Sequence, residues 1–258
     1  MTLEFYKYQG TGNDFVMIDN RHSEFSKNDT ERISFLCDRK FGIGADGLIL
    51  LEEDEETDFR MVYFNADGKE GSMCGNGGRC LVAFAKYMEV IDDETTFNAV
   101  DGLHKATIEN GVVSLQMQDV TGIMVKPTAT FLDTGSPHHV QLVKNLDNIN
   151  VFKEGKKLRY GLYGEKGSNV NFVEQKDTAI FSVRTYERGV EDETLSCGTG
   201  VTAVAIAMHN SGKTDSENVL INSLGGELQV RFEKNGKGYK NIHLVGPAKM
   251  VYKGEIEC

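Results

Sequence analysis

The sequence predicts an α/β protein made of two similar halves, each a strongly curved sheet wrapped around one central helix. Two turns of the same form, Cys-Gly-x-Gly, begin at Cys74 and at Cys197. Each turn runs into a stretch, 81–88 or 201–208, that is apolar around nearly the whole circumference of a helix, which indicates a helix enclosed by protein. Much of the remaining chain consists of short alternating stretches separated by Gly, Asn and Asp, as in strands joined by tight turns.

The two halves also repeat in their spacing. Gly12 precedes Cys74 by 62 residues, and Gly135 precedes Cys197 by the same 62. A repeat of this length is far longer than a solenoid period, so it predicts two similar domains that face each other across a pseudo-twofold axis.

A domain boundary is predicted where the strand pattern lapses, from Thr121 to Pro127, because Pro127 interrupts it. We assign residues 1–120 together with 247–258 to an N-terminal domain and residues 121–246 to a C-terminal domain.

Period-two alternation predicts strands along both halves. In the first half they fall at 3–8, 15–19, 47–51, 58–64, 95–100, 104–109 and 112–118, and in the second at 129–133, 139–143, 169–174, 179–187, 219–222, 227–233, 241–245 and 248–252. Helical periodicity predicts helices at 29–39, 76–89 and 198–210, and a weaker one at 150–158.

Composition excludes several classes of partner. The chain of 258 residues has a formal net charge of −11, 40% hydrophobic residues and no run of Lys or Arg, whereas nucleic acid and anionic membranes select a basic face. Glu4 and Lys7 interrupt any apolar signal core, and the longest apolar runs are too short to span a bilayer. We expect a cytoplasmic protein that binds neither nucleic acid nor membrane.

The cysteine content predicts reduced thiols and no metal site. The five cysteines, at positions 37, 74, 80, 197 and 258, form no CxxC pair and no Cys/His cluster at zinc spacing. His138 and His139 are adjacent, and adjacent residues rarely converge on one metal ion. For Cys37, Cys80 and Cys258 we predict no function.

A cysteine at a helix start has a chemical use. A thiol with a pKa of about 8.5 is mostly protonated at neutral pH, and the thiolate is the reactive base or nucleophile. The unpaired N–H groups and partial positive charge of a helix N-terminus favour an anion, and the glycines let a ligand approach the backbone. Two such turns in a repeat suggest two thiols that act on one substrate carboxylate and its neighbouring carbon.

Other interpretations of the same residues remain open. Each cysteine is also a small residue of the kind found in protein cores. A Gly-x-Gly turn before a helix can bind phosphate, although the chain has no GxxxxGK[ST] motif and no full GxGxxG after a strand. A thiol hydrolase with His138 as base would use one cysteine and leave the other idle.

Four motifs in order resemble the diaminopimelate epimerase family, over residues from 7 to the terminal Val245-Gly246-Pro247-Ala248. They are Gly10-Thr11-Gly12-Asn13-Asp14-Phe15, Phe64-Asn65-Ala66-Asp67-Gly68, Met73-Cys74-Gly75-Asn76-Gly77-Gly78-Arg79-Cys80, and Glu187-Arg188-Gly189 ahead of Cys197-Gly198-Thr199-Gly200. The resemblance implies two α/β domains, each a barrel-like sheet around a central helix, with the site in the cleft between them.

The family epimerises one α-carbon of LL-2,6-diaminopimelate to the meso form in lysine biosynthesis, without metal or pyridoxal phosphate. The resemblance implies that Cys74 and Cys197 are the two bases, one as thiolate and one as thiol, and that His138 and Glu187 modulate their pKa values. It also implies a set of substrate-binding residues, in which Arg188 contacts the distal carboxylate: Asn13, Gly47, Asn65, Gly75, Asn76, Ser136, Asn169, Glu187, Arg188, Gly198 and Thr199. The family further suggests a homodimer that uses Tyr252.

Two of these positions depart from the better-known bacterial pattern. Gly47 stands where many members have Gln, and Ser136 stands where many have Asn. Gly47 offers only backbone and Ser136 has a shorter side chain, so we expect altered substrate contacts at both.

Two further functions compete with this one. Proline racemases and hydroxyproline epimerases share the fold and the two-cysteine chemistry, but they need no group for a second amino-acid head, which Glu187 and Arg188 would contact here. A non-catalytic protein that binds anions or senses redox state would also use paired helix-terminal cysteines. Only an epimerase exchanges the α-hydrogen of its substrate with solvent.

Overall fold

The computed structural model describes residues 2–257, so Cys258 lies outside the described residues. The chain divides into two compact units. Unit 1 comprises the described residues up to Leu115 and those from Gly246 onward, and unit 2 comprises Gln116–Val245.

Unit 1 contains a mixed sheet of short strands. Its strands are β1 (Thr2–Gly10), β2 (Asn13–Asp19), β3 (Gly47–Glu52), β4 (Phe59–Asn65), β5 (Glu94–Ala99), β6 (Gly102–Glu109), β7 (Val112–Gln116) and β17 (Lys249–Glu257). β1 pairs antiparallel with β2 and with β17, and β2 runs parallel to β3. β3 is antiparallel to β4, and β4 is parallel to β5; β5, β6 and β7 then form an antiparallel meander.

Two helices belong to unit 1. α1 (Thr30–Cys37) begins after Asp29, whose side chain accepts a hydrogen bond from the Arg32 N–H and caps the helix. α2 (Gly75–Tyr87) lies between β4 and β5 in the chain and packs against β1, β2, β3, β4, β6 and β17. Most of its residues are buried, so it is the central helix that the sequence predicts.

Unit 2 repeats the plan with nearly the same pairings. Its strands are β8 (Ile123–Val125), β9 (Thr130–Asp133), β10 (Pro137–Leu142), β11 (Asn169–Asp177), β12 (Ile180–Glu187), β13 (Asp192–Thr194), β14 (Asn218–Ser223), β15 (Gly226–Asn235) and β16 (Gly238–Pro247). β8, β9 and β10 are antiparallel, and β10 runs parallel to β11. β11 is antiparallel to β12, which is parallel to β14 and also pairs with the short β13. β14, β15 and β16 form an antiparallel meander.

The helices of unit 2 occupy the corresponding places. A 3-10 turn, Leu146–Asn148, precedes α3 (Val151–Tyr163), which the Asn150 side chain caps. α4 (Gly198–Asn210) lies between β13 and β14 in the chain, packs against β9, β10, β11, β12, β14 and β15, and is buried from Gly200 to Met208. Each unit is therefore a mixed sheet around a central helix, which confirms the predicted α/β fold class.

The predicted lapse of the strand pattern between Thr121 and Pro127 was wrong, because the segment contains β8. The strand pattern does not lapse there, because β8 pairs with β9 across Ile123 and Leu132. Three residues are too few to show alternation, and two of them, Met124 and Val125, are exposed although apolar.

Candidate active site

In unit 1 the first candidate residue stands at the start of the central helix. Cys74 is the N-cap of α2, with extended backbone angles (φ −113°, ψ 117°) and a side chain that does not cap the helix. The first intrahelical bond runs from the Gly78 N–H to the Cys74 carbonyl at 2.7 Å. The N–H groups of Gly75, Asn76 and Gly77 precede that bond, and helix geometry gives them no acceptor within the helix.

Asn13 holds the Cys74 side chain through a fixed amide. The Cys74 sulfur donates to Asn13 Oδ1 at 3.6 Å, and Asn76 Nδ2 donates to the same oxygen at 3.3 Å. Asn13 Nδ2 donates to Asp46 Oδ2 at 2.8 Å. Because a carboxylate only accepts, Asp46 fixes which end of the Asn13 amide faces the thiol.

A buried cation lies one turn into the same helix. Arg79 is fully buried, and its guanidinium donates to two neutral oxygens, Gly75 O at 3.4 Å and Thr11 Oγ1 at 3.3 Å. Among the described residues, Arg79 forms no ion pair with a carboxylate and its Nε has no hydrogen-bond partner. Burial lowers its pKa, and negative charge on Cys80 or Cys74 acts in the opposite direction.

The buried thiols of unit 1 stay protonated at neutral pH. Burial raises the pKa of Cys80 to about 12 against the opposing charge of Arg79. Burial also raises the pKa of Cys37 to about 12. Both thiols therefore suit packing rather than proton transfer near neutral pH.

Gly47 is covered by a side chain of the neighbouring strand. A Cβ atom at position 47 would lie 2.5 Å from the Phe64 carbonyl oxygen and 2.5 Å from Tyr63 Cε2. The Tyr63 hydroxyl donates to Asn65 Oδ1 at 3.1 Å, and Asn65 is the exposed last residue of β4. The space beside residue 47 is thus filled by Tyr63, which orients Asn65.

In unit 2 the second candidate cysteine has the equivalent place. Cys197 is the N-cap of α4 (φ −117°, ψ 109°), is 8% exposed and, like Cys74, does not cap its helix through its side chain. The Val201 N–H donates to the Cys197 carbonyl at 2.9 Å, so the N–H groups of Gly198, Thr199 and Gly200 stand before the first intrahelical bond.

His138, on β10, contacts the first turn of this helix. Its Nε2 lies 2.9 Å from Thr199 Oγ1, which in turn lies 3.5 Å from the Cys197 sulfur. Burial of the ring, and secondarily the charge of Arg188, lowers the pKa of His138 to about 3, so the imidazole is neutral at physiological pH.

Ser136, Asn169 and Arg188 form one polar cluster beside His138. Asn169 Nδ2 donates to Ser136 Oγ at 3.0 Å, and Asn169 Oδ1 accepts from the Arg188 N–H at 2.8 Å. The Arg188 guanidinium donates to Ser136 Oγ at 3.3 Å and to the Lys166 carbonyl at 2.9 Å. The short side chain of Ser136 therefore contacts both larger ones.

Two further predicted residues, Glu187 and Tyr252, lie on strands, one at a strand end and the other within a strand. Glu187 is the last residue of β12 and accepts from Thr194 Oγ1 at 2.8 Å. Tyr252 lies on β17 opposite Lys7, is 44% exposed, and its ring meets Phe5 edge-on with centroids 5.9 Å apart.

Several residues that contact the candidate site were not predicted. They are Asp46, Tyr63, Arg79 and Asn171, together with Thr185, which contacts Asn171. A sequence signal existed for two of them, because Tyr63 and Asn171 stand two residues from Asn65 and Asn169, and residues two apart share one face of a strand.

Two features are absent from residues 2–257. No three His, Cys, Asp or Glu side chains there are grouped so as to hold a metal ion. In the same range, no helix is both long and apolar enough to cross a membrane.

Comparison with known sequences points to one family. The sequence model of the diaminopimelate epimerase family matches residues 5–122 and 130–251. A diaminopimelate epimerase of Flavobacterium psychrophilum is 59% identical over 256 residues, which cover 98% of this chain and 100% of that protein. One from Chlorobaculum tepidum is 42% identical, covering 96% of this chain and 98% of that protein.

Solved structures share the fold at low identity. A phenazine biosynthesis protein of the PhzF family from Bacillus anthracis superposes with a TM-score of 0.78 at 16% identity and covers both chains fully. A hydroxyproline epimerase from Agrobacterium vitis superposes with a TM-score of 0.72 at 14% identity, covering 99% of this chain and 92% of that one. At these identities the likeness concerns the fold alone.

Proposed function

Since the chain belongs to the diaminopimelate epimerase family, we propose that it converts LL-2,6-diaminopimelate to the meso isomer by inverting one α-carbon, without a cofactor. One observation carries the mechanism: each unit places a cysteine at the N-cap of its buried central helix, at equivalent positions of a repeated fold. Inversion needs a group that removes a proton from one face of a carbon and a group that returns one to the other face. Cys74 and Cys197 are the pair that we assign to these roles.

In the proposed reaction, one cysteine removes a proton from the α-carbon and the other returns a proton to it. One cysteine, as thiolate, takes the α-proton, and the other, as thiol, donates its proton to the opposite face. The electron pair of the broken C–H bond is held by the α-carboxylate, and the N–H groups of Gly75, Asn76, Gly198 and Thr199 stabilise the charge that develops there.

Cys74 has one neighbour that favours its thiol form and one that favours its thiolate form, which suits a residue that must exist in both forms during the reaction. Asn13 Oδ1 accepts a hydrogen bond from the thiol, which favours the protonated form. The positive charge of Arg79, buried without a carboxylate partner, favours the thiolate. His138 and Glu187 are the residues that we propose to modulate the pKa values of the pair.

The substrate's distal amino-acid head is assigned to unit 2. Arg188 is exposed, and its guanidinium is held by Ser136 and Lys166, so it is oriented to form a charge-assisted bond with a carboxylate. We assign Asn13, Asn65, Asn169, Ser136 and Glu187 to further polar contacts with substrate, and Gly47 to a backbone contact only, because Tyr63 covers its Cα.

We further propose that the enzyme is a cytoplasmic homodimer that acts in lysine biosynthesis. Support for the dimer comes from β17, where Met250, Val251 and Tyr252 are 41%, 57% and 44% exposed, so that apolar side chains are exposed on both faces of this strand.

The reaction is tested by hydrogen exchange at the α-carbon. Reduced protein with no added cofactor is incubated in D2O with LL-diaminopimelate, and in parallel with L-proline, and the label and stereochemistry are read by mass spectrometry and chiral chromatography. We expect deuterium at the α-position of the diaminopimelate and formation of the meso isomer. Label in proline alone would favour a proline racemase, and no label in either substrate would refute the proposal.

A further inference from the structure

Three side chains of unit 2 form a hydrogen-bonded chain that ends at the Cys197 sulfur. Asn171 Nδ2 lies 3.1 Å from His138 Nδ1, and His138 Nε2 lies 2.9 Å from Thr199 Oγ1. Thr199 Oγ1 lies 3.5 Å from Cys197 Sγ. Asn171 and His138 are fully buried, so protein neighbours decide which atoms donate and which accept.

The orientation of the Asn171 amide is fixed by two neighbours. Its Nδ2 also donates to the His139 carbonyl oxygen at 3.2 Å, and its Oδ1 accepts from Thr185 Oγ1 at 3.0 Å. A flipped amide would place oxygen against the His139 carbonyl, and two acceptors repel. The nitrogen end of Asn171 therefore faces the His138 ring and donates to Nδ1.

His138 is consequently a neutral ring with its proton on Nε2. Nδ1 accepts from Asn171, so the single proton of the neutral imidazole is on Nε2, which donates it to Thr199 Oγ1. The pKa of His138, lowered by burial, keeps the ring neutral at physiological pH.

A second amide near Nε2 does not alter this assignment. Asn169 Nδ2 lies 3.5 Å from His138 Nε2, at the limit of a hydrogen bond. That nitrogen already donates to Ser136 Oγ at 3.0 Å and to the Pro137 carbonyl at 3.3 Å.

We propose that Thr199 is a positioning residue whose hydroxyl donates its hydrogen to the Cys197 sulfur and thereby favours the thiolate. Because the Thr199 oxygen accepts from His138, its own hydrogen points away from the ring, and the Cys197 sulfur lies within hydrogen-bond distance as an acceptor. The Thr134 hydroxyl donates to the Thr199 carbonyl at 2.8 Å and holds the residue in place. His138 thus acts on Cys197 through Thr199, and this inference rests on the proposed role of Cys197 as one of the two bases.

Other ionisable groups of unit 2 lie on, or directly after, the strands that pack against α4. Asp133 ends β9, where it accepts from the Gly135 N–H. His139 lies on β10 beside His138 but meets the Tyr163 hydroxyl at 2.8 Å instead. Glu187 and Arg188 stand at the end of β12. All of them stay in place when only the hydroxyl of residue 199 is changed, so a matched pair of variants isolates its effect.

The test measures how pH controls alkylation of Cys197. Full-length wild type, Thr199→Val and Thr199→Ser are treated with iodoacetamide over a range of pH, and the Cys197 peptide is quantified by mass spectrometry. Valine has the shape of threonine without the hydroxyl. We expect Thr199→Val to lower the alkylation rate about tenfold at a fixed pH below the pKa, which is one pKa unit, and Thr199→Ser to retain the wild-type profile. Thr202→Val is the matched control, because that hydroxyl donates to Gly198 O and we expect no change.

Several outcomes would overturn the inference. An unchanged or faster profile in Thr199→Val would show that the hydroxyl does not favour the thiolate, and a Thr199→Ser profile like that of Thr199→Val would indicate a packing effect. If Thr199→Val fails to fold, 15N NMR of histidine in the wild type decides, because a proton on His138 Nδ1 would contradict the chain. These readouts need no turnover, whereas failure of α-hydrogen exchange in the wild type would refute the proposed function instead.

Discussion

The residue at a helix N-cap decides what the first backbone N–H groups of that helix can bind. Ser, Thr, Asp and Asn are usual there because their side-chain oxygen accepts from the first turn, and losing that bond costs about 1 kcal/mol. Asp29 and Asn150 cap α1 and α3 in this way. The side chains of Cys74 and Cys197 do not cap α2 and α4, which is consistent with the substrate carboxylate that we propose to bind at these helix N-termini.

Loss of either thiol should stop inversion. In Cys74→Ala and in Cys197→Ala one of the two proton-transfer groups is missing, so we expect kcat for the LL-to-meso conversion to fall by about 10²- to 10⁴-fold or more. Chiral chromatography measures the conversion. Cys37→Ala is the control, because that thiol is buried, protonated and outside the proposed site, and it should turn over normally. Normal inversion by either of the first two variants would refute the two-base assignment.

Single-residue features were predictable where the signal is local. The two cysteine turns could be identified because composition, spacing and the following apolar helix are all visible in a short stretch. The covering of Gly47 could not be, because it depends on the register in which β3 pairs Gly47 with Asn65, so that Tyr63 becomes its diagonal neighbour. The hydrogen bond between Asn13 and Asp46 likewise depends on tertiary structure, because it joins the first residue of β2 to the residue before β3.

At the scale of elements, the first turns of the two central helices differ in how tightly they are packed. A Cβ atom at Gly78 in α2 would lie 2.7 Å from Met73 Cε, the mobile end of a flexible side chain. A Cβ atom at Gly200 in α4 would lie 2.6 Å from Asn171 Oδ1, in an amide held at both ends by hydrogen bonds.

We therefore expect Gly200→Ala and Gly78→Ala to differ in stability. Alanine is favoured over glycine in a helix by about 1 kcal/mol, so Gly78→Ala should be near neutral once Met73 moves. Gly200→Ala should lower the free energy of unfolding by about 1–3 kcal/mol, because Asn171 has to shift and the buried chain to His138 is disturbed. Urea unfolding of both variants measures the difference. Equal stability of the two would contradict the close packing at Gly200.

Whole elements were predicted well where the periodicity was long and poorly where it was short. The central helix of unit 2 was predicted over 198–210 and observed at Gly198–Asn210, since eleven successive apolar or small residues, from Gly198 to Met208, leave little ambiguity. β8 and β13, of three residues each, were missed, because no alternation develops in that length.

For the whole molecule, the repeated order of strand pairings in the two units explains why one family model matches both stretches of the chain. Repetition of a backbone does not require repetition of side chains. β4 ends in Asn65, with the Tyr63 hydroxyl against it, whereas β12 ends in Glu187 and is followed by Arg188. This difference between the units fits the substrate that we propose, because the two ends of that substrate have different roles in the reaction.

Stability of the whole chain should fall as the pH drops from 7 to 5, because a buried histidine has to stay neutral in the folded state. The folded pKa of His138 is lowered to about 3 by burial, whereas an unfolded histidine has a pKa of about 6.5. The unfolded state therefore binds more protons between these values, so stability is fully present above pH 6.5 and is lost as the pH falls below it. His139, His209 and His243 have pKa values lowered in the same direction, chiefly by burial.

Carboxyl groups add to this loss only at lower pH. Burial acts to raise the pKa of Asp14, but hydrogen bonds from Arg39 and Lys7 outweigh it and hold the pKa below its usual range. The contribution of Asp14 to stability therefore persists until the pH falls below about 4.

Between pH 6 and 5, His138 alone should lower the free energy of unfolding by about 1 kcal/mol. Urea unfolding at pH 7, 6 and 5 measures this, and His138→Gln should show a shallower pH dependence by that amount, whatever its absolute stability. Replacement of the exposed His22 by Gln is the control, because it removes a histidine that is not buried. A wild-type stability that stays constant from pH 7 to 5 would mean that His138 is protonated in the folded protein, and the neutral Nε2–H donor assigned to it would then be wrong.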